Sequence, residues 1–157
     1  MILRKRGVAP AFVPPVSITL AAHPDRYIGG LIAFRDGRAA DWIEGFAVAT
    51  LTAAFAADEL AEEVAALQRT WTVRAGRPRS DSAAARIIRI LPALPVLSAP
   101  TLRAAIGSSQ QKALDGLEHL SRRRASCARS LPGRTPEFAA TELFDLVAEY
   151  EERIAGR

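Results

Sequence analysis

Cysteine is almost missing from this chain. Cys127 is the only one in 157 residues, so no intramolecular disulfide and no cysteine-built zinc site can form. Histidine is nearly as scarce: His23 and His119 lie far apart, and none of the usual metal-ligand spacings occurs. No metal and no cofactor is therefore expected. Aromatic residues make up 6% of the chain, too little for a β-sandwich, which draws on aromatic and β-branched side chains. Long apolar runs are also lacking. The longest apolar-plus-glycine stretch, residues 45–57, contains two threonines and is too short to cross a bilayer. The opening residues Met1 to Val8 are basic but lead into no sustained apolar segment, so a secretory signal is not expected and a cytoplasmic location is the default.

What the chain does have is alanine, 31 residues of it, within an apolar fraction of 49%. That is enough to bury a core, and it suits closely packed helices. Its length fits one domain or two small ones. The net charge of +4 conceals an asymmetry. Residues 1–76 carry eight basic and eight acidic groups, residues 77–134 eleven basic and three acidic, and residues 135–157 two and six. A segment of net +8 therefore lies between a neutral start and an acidic end, and a local positive field of that kind attracts phosphate. Nineteen of the 21 basic residues are arginine, a bias that matches the high alanine content and suggests a GC-rich genome.

The periodicity places the elements. Ile2 and Leu3 read as the end of a helix stopped at Gly7, followed by a proline-bounded connector from Pro10 to Pro15. Residues 16–34 read as two short helices, with Pro24 in the first turn of the second, and Arg35 to Arg38 as a turn. Asp41-Trp42-Ile43-Glu44 has the form of a capping box. A helix of about 30 residues should follow, because Phe46, Thr50, Ala53, Ala57, Leu60, Val64, Leu67 and Trp71 make one stripe. Gly76-Arg-Pro-Arg-Ser-Asp reads as a linker and sets the expected domains, 1–76 and 77–157. Beyond it, short helices are expected at 83–91 and 101–106, the second with Thr101 as its N-cap. Gly107 makes a turn, and Ser108 to Gln111 offers a second capping box for a helix to about Ser121. This is the helix-turn-helix plan. In a winged version, residues 127–131 and 135–139 would pair as a hairpin. Residues 141–154 read as an acidic amphipathic helix.

These segments together carry a resemblance. Leu3-Arg-Lys-Arg-Gly-Val-Ala-Pro and Phe12-Val-Pro-Pro-Val-Ser look like the region just after the catalytic motif in Fic-family proteins of actinobacterial type. The likeness continues through His23 to Ile28, Asp41 to Glu44, Leu67 to Trp71, Gly76-Arg-Pro-Arg-Ser-Asp-Ser-Ala, the helix-turn-helix and Glu142-Leu-Phe-Asp-Leu. It implies an all-α or mainly α fold: a truncated Fic-type helical bundle half, residues 1–76, and a C-terminal winged-helix-like domain, residues 77–157. The family transfers AMP from a nucleotide to a protein hydroxyl through a His-Pro-Phe-x-Asp-Gly-Asn-Gly-Arg motif. That motif is absent here, and the resemblance places Met1 just past its end. No catalytic, cofactor-binding or metal-binding residue is carried over.

The resulting expectation is a non-catalytic remnant, or separately encoded C-terminal part, of a Fic-family protein that acts as a binding or regulatory module. The alternatives are a fragment of an AMP-transferring enzyme whose true start lies upstream, and a winged-helix DNA-binding regulator. Candidate nucleic-acid contacts are Ser109, Gln110, Gln111 and Lys112 at the start of the recognition helix, with Arg122, Arg123, Arg124, Arg129 and Arg134 along the backbone path. Asp115 and Glu118 oppose that role. His23 reads as an exposed residue at a helix start, and Cys127 as a thiol of the wing. Trp42 and Trp71 read as core residues, and Asp58, Glu59, Glu62 and Glu63 as a solvated helix face. The long stripe needs a covering surface, so self-association through the 41–75 helix is expected.

Overall fold

A computed structural model describes residues 15–126 and 137–156. The expected helix end at Ile2-Leu3 and the connector to Pro14 lie outside the described residues, as do Cys127 and the first strand of the expected hairpin. The described chain is mainly helical. In order, its elements are α1 (Val16–Ala22), α2 (Pro24–Arg35), α3 (Ala39–Arg74), α4 (Ala83–Ile90), β1 (Val96–Ser98), α5 (Ala99–Ile106), α6 (Gln110–Arg122), β2 (Glu137–Ala139) and α7 (Thr141–Ile154). No helix among the described residues is long and apolar enough to cross a membrane.

Local chemistry accounts for most boundaries. Pro24 opens α2, where its missing N–H costs nothing. Gly37, at φ +82°, makes the turn into α3. The long helix begins at Ala39, two residues ahead of the expected cap. Asp41 therefore lies inside the first turn, and its carboxylate accepts from Arg38 at 3.0 Å rather than capping. Ser82 caps α4 by accepting from the Ala85 N–H at 3.2 Å. The next helix starts earlier than expected: Ser98, not Thr101, is its N-cap, and Pro100 sits in its first turn. Likewise Ser109, not Ser108, caps α6, and Gln111 bonds Asp115 instead of closing a box. The acidic helix runs over the expected residues, 141–154.

The chain divides into two compact units, Met1–Ala61 with Ala148–Arg157, and Glu62–Val147. The division falls inside α3 and inside α7, so the Gly76 connector lies within the second unit. The reason is Trp71. It is fully buried and shares a core with Ile87, Leu91, Leu97, Leu102, Leu117 and Leu120 from beyond the connector. Leu67 and Val64, one and two turns earlier on the stripe, pack against the same cluster.

In the second unit, β1 and β2 pair antiparallel, with Val96 opposite Ala139, Leu97 opposite Phe138 and Ser98 opposite Glu137. The strand expected within residues 135–139 thus forms, but its described partner is Val96–Ser98, a three-residue strand too short to register as a pattern. Leu97 sends its side chain into the core at 0% exposure while Val96 stays exposed, the alternation a strand requires.

The first unit is differently built. Its α1, α2 and the front of α3 bury mostly small side chains, Ala33, Ala49 and Ala53. Trp42 lies over Gly30, where a Cβ would come within 2.8 Å of the indole, and its ring centroid is 5.6 Å from that of Tyr27.

Candidate nucleic-acid interface

The described candidates lie at the N-cap of α6, in its first and last turns and in the two residues after it. Gly107, at φ +61°, ends α5 in the left-handed conformation, and its N–H bonds the Arg103 carbonyl. Ser109 then starts α6 with its hydroxyl turned to the Lys112 N–H. Its side chain is therefore committed to the cap. Gln110, Gln111 and Lys112 occupy the first turn and are exposed. The opposite face, Ala113, Gly116, Leu117 and Leu120, is buried and orients the helix.

The exposed face is of mixed charge. The Gln111 amide donates to Asp115 at 2.9 Å, and the Arg122 guanidinium donates to Glu118 at 2.6 Å. Arg123 caps the C-terminal end of α6 and lies over Gly76, its guanidinium 3.7 Å from where a Cβ would stand. Arg124 is exposed and takes a positive φ of 46°. Lys112, Arg123 and Arg124 make no ion pair with any of the described residues. Arg129 and Arg134 lie outside the described residues.

Two neighbours of this face have no local signal in the sequence. Arg86, on α4, donates to the Ile106 carbonyl at 3.1 Å and so closes the C-terminal end of α5. With Asp81, Ser108 and Lys112 it lines a cleft of about 240 Å³ beside the start of α6. His119 is half-buried, and its Nε2–H donates to the Ala75 carbonyl at 2.9 Å, tying α6 to the end of α3. Both contacts join residues far apart in the chain, which no short motif encodes.

The other sequence candidates are dispersed. His23 is exposed beside Pro24 and makes no side-chain cap. It lines a groove of about 470 Å³ with Leu20, Tyr27 and Trp42 in the first unit. Among the described residues no three His, Cys, Asp or Glu side chains are grouped to hold a metal ion.

The strongest polar site in the second unit is structural. Glu142, in the first turn of α7, accepts from the Trp71 indole N–H at 2.7 Å and from Arg74 at 2.5 Å. Burial raises the pKa of this carboxyl, but the bonds from Arg74 and Trp71 outweigh it and hold the value below the usual 4.5.

No protein-family model matches the chain, and none of the curated proteins compared with it matches.

Proposed function

We propose that the chain is a non-catalytic binding or regulatory module of Fic type, whose second unit works as a winged helix that engages a protein through the exposed face of α6. The observation that carries this reading is the pairing of β1 with β2. It completes the order helix, strand, helix, turn, helix, strand, which a winged helix uses to present its third helix. The AMP-transfer motif that the resemblance would require is not in the 157 residues, so the reading is non-catalytic. AMP incorporated into an added protein when the chain is incubated with ATP and magnesium would overturn that part.

A protein partner is favoured over DNA by the charges on α6. A phosphate approaching Arg122 must displace Glu118, and Asp115 repels it one turn earlier. The DNA reading rests on the net charge of +8 over residues 77–134 and on Lys112, Arg123 and Arg124, which pair with no acid among the described residues. Fluorescence anisotropy with a labelled duplex over a range of salt concentrations decides between them. The protein-binding reading expects weak association whose salt slope changes little on replacing Arg122, Arg123 and Arg124 with Ala. A steep slope that falls by roughly one for each arginine removed would establish the DNA reading instead.

A further inference from the structure

We infer that the first unit is a self-association module, in which α2 of one copy packs across the front of α3 of a second copy about a two-fold axis. The inference is independent of the reading of α6 and rests on surface the fold leaves uncovered. Ten of the thirteen large apolar side chains found exposed among the described residues belong to α2 and the first half of α3. On α2, Ile32 and Phe34 are 51% and 53% exposed, and on α3, Ile43, Leu51 and Phe55 are 57–63% exposed.

Spacing makes these residues a surface. On α2 the exposed residues Tyr27, Ile28, Leu31, Ile32 and Phe34 recur at steps of three and four, which places them on one broad face. On α3, Val48, Leu51 and Phe55 do the same. This part of α3 has no charged residue from 45 to 57, so the helix is apolar nearly all round. A helix of that composition is stable where it is covered on more than one side.

Area and charge choose a second copy as the cover. At about 150–250 Å² for a large side chain, half-exposure of ten leaves on the order of 900 Å² of apolar surface. A stable interface needs roughly 800 Å² from each partner. The rims are complementary between the two helices rather than within either one. Helix α2 carries Arg26 and Arg35 against one acid, Asp25, while residues 39–61 of α3 carry Asp41, Glu44, Asp58 and Glu59 and no base. A two-fold contact sets α2 on the partner's α3 twice and brings basic to acidic rims both times.

Sedimentation velocity on the full chain across micromolar concentrations tests this, with helicity followed by circular dichroism. The expected species is a discrete particle of twice 16.9 kDa. Leu51→Glu with Phe55→Glu changes two exposed positions and should weaken association roughly a hundredfold with helicity retained. Should that variant lose its helicity, Arg35→Glu carries the test, because it alters only an exposed rim charge and should weaken association severalfold. Val73→Glu, exposed in the second unit, should change nothing. A monomer at every concentration overturns the inference. So does open-ended aggregation, or a dimer that persists in the Leu51/Phe55 variant and in Arg35→Glu.

Discussion

Trp71 shows how one residue can be legible in type and illegible in role. Its place on the α3 stripe marks it as buried, and it is fully so. Its indole N–H then needs an acceptor, because a buried donor left unpaired costs about 1–3 kcal/mol. Glu142 supplies it from 71 positions away, with Arg74 on its other oxygen. Since the folded-state pKa of Glu142 is depressed, its contribution to stability is present above the unfolded value and lost as pH falls through the folded one. Glu142→Gln should therefore flatten the acid side of the stability profile below about pH 4.5. It should cost about 1 kcal/mol at neutral pH, a modest figure because the carboxylate is 37% exposed and solvent screens it. Urea unfolding from pH 3 to 7 checks this, and an unchanged acid slope in the variant would refute the assignment. Thr19 and Tyr150 are the converse case: both are buried, and among the described residues neither hydroxyl has a hydrogen-bond partner. Burial pushes the Tyr150 phenol up, aided by the Glu59 carboxylate and only partly offset by the Arg153 guanidinium.

At the scale of elements, the α4–α6 contact turns on a residue that carries no side chain. Gly116 lies mid-helix and is buried. A Cβ there would stand 2.9 Å from both the Ala83 Cβ and the Ile87 Cδ1, and 3.3 Å from the Ala83 carbonyl carbon. The isoleucine methyl can yield, but the alanine and its backbone cannot. Gly116→Ala gains about 1 kcal/mol of helix propensity, and it should lose ~1–3 kcal/mol to overpacking. A net destabilisation in urea unfolding is therefore expected, and a stabilised variant would mean the two helices are free to separate. Sequence periodicity puts Ala113, Leu114, Leu117 and Leu120 on the buried side of this helix; Leu114 is only half-buried, and Gly116 is passed over because hydropathy says nothing about how closely two backbones approach. The caps follow a similar logic. Serine at a helix start was legible, but which of two adjacent serines takes the cap depends on where the preceding turn releases the chain.

For the whole molecule, burial is unevenly shared. The second unit holds Trp71, Ile87, Leu91, Leu97, Leu102 and Leu120 at under 2% exposure, whereas the first buries chiefly alanines. Opening free energy scales with the apolar surface an element buries. Amide hydrogen exchange at low protein concentration should thus be slowest in α4 and α6 and much faster in α1 and α2. Equal protection in α2 and α6 would show that the first unit is held by more than its own packing.

The sequence by itself determined the helical character of the chain, the long stripe on α3, the extent of α7 and the basic middle segment. Each is a property of periodicity, composition or charge, which are summed along the chain. Tertiary structure decided the rest. It joined Trp71 to Glu142, paired Val96–Ser98 with Glu137–Ala139, set the boundary of the second unit inside α3, and balanced the arginine of α6 with its own glutamate. Those outcomes depend on which distant groups meet once water is excluded, and a hydrogen-bond donor in a linear chain carries no mark of the acceptor that folding will bring to it.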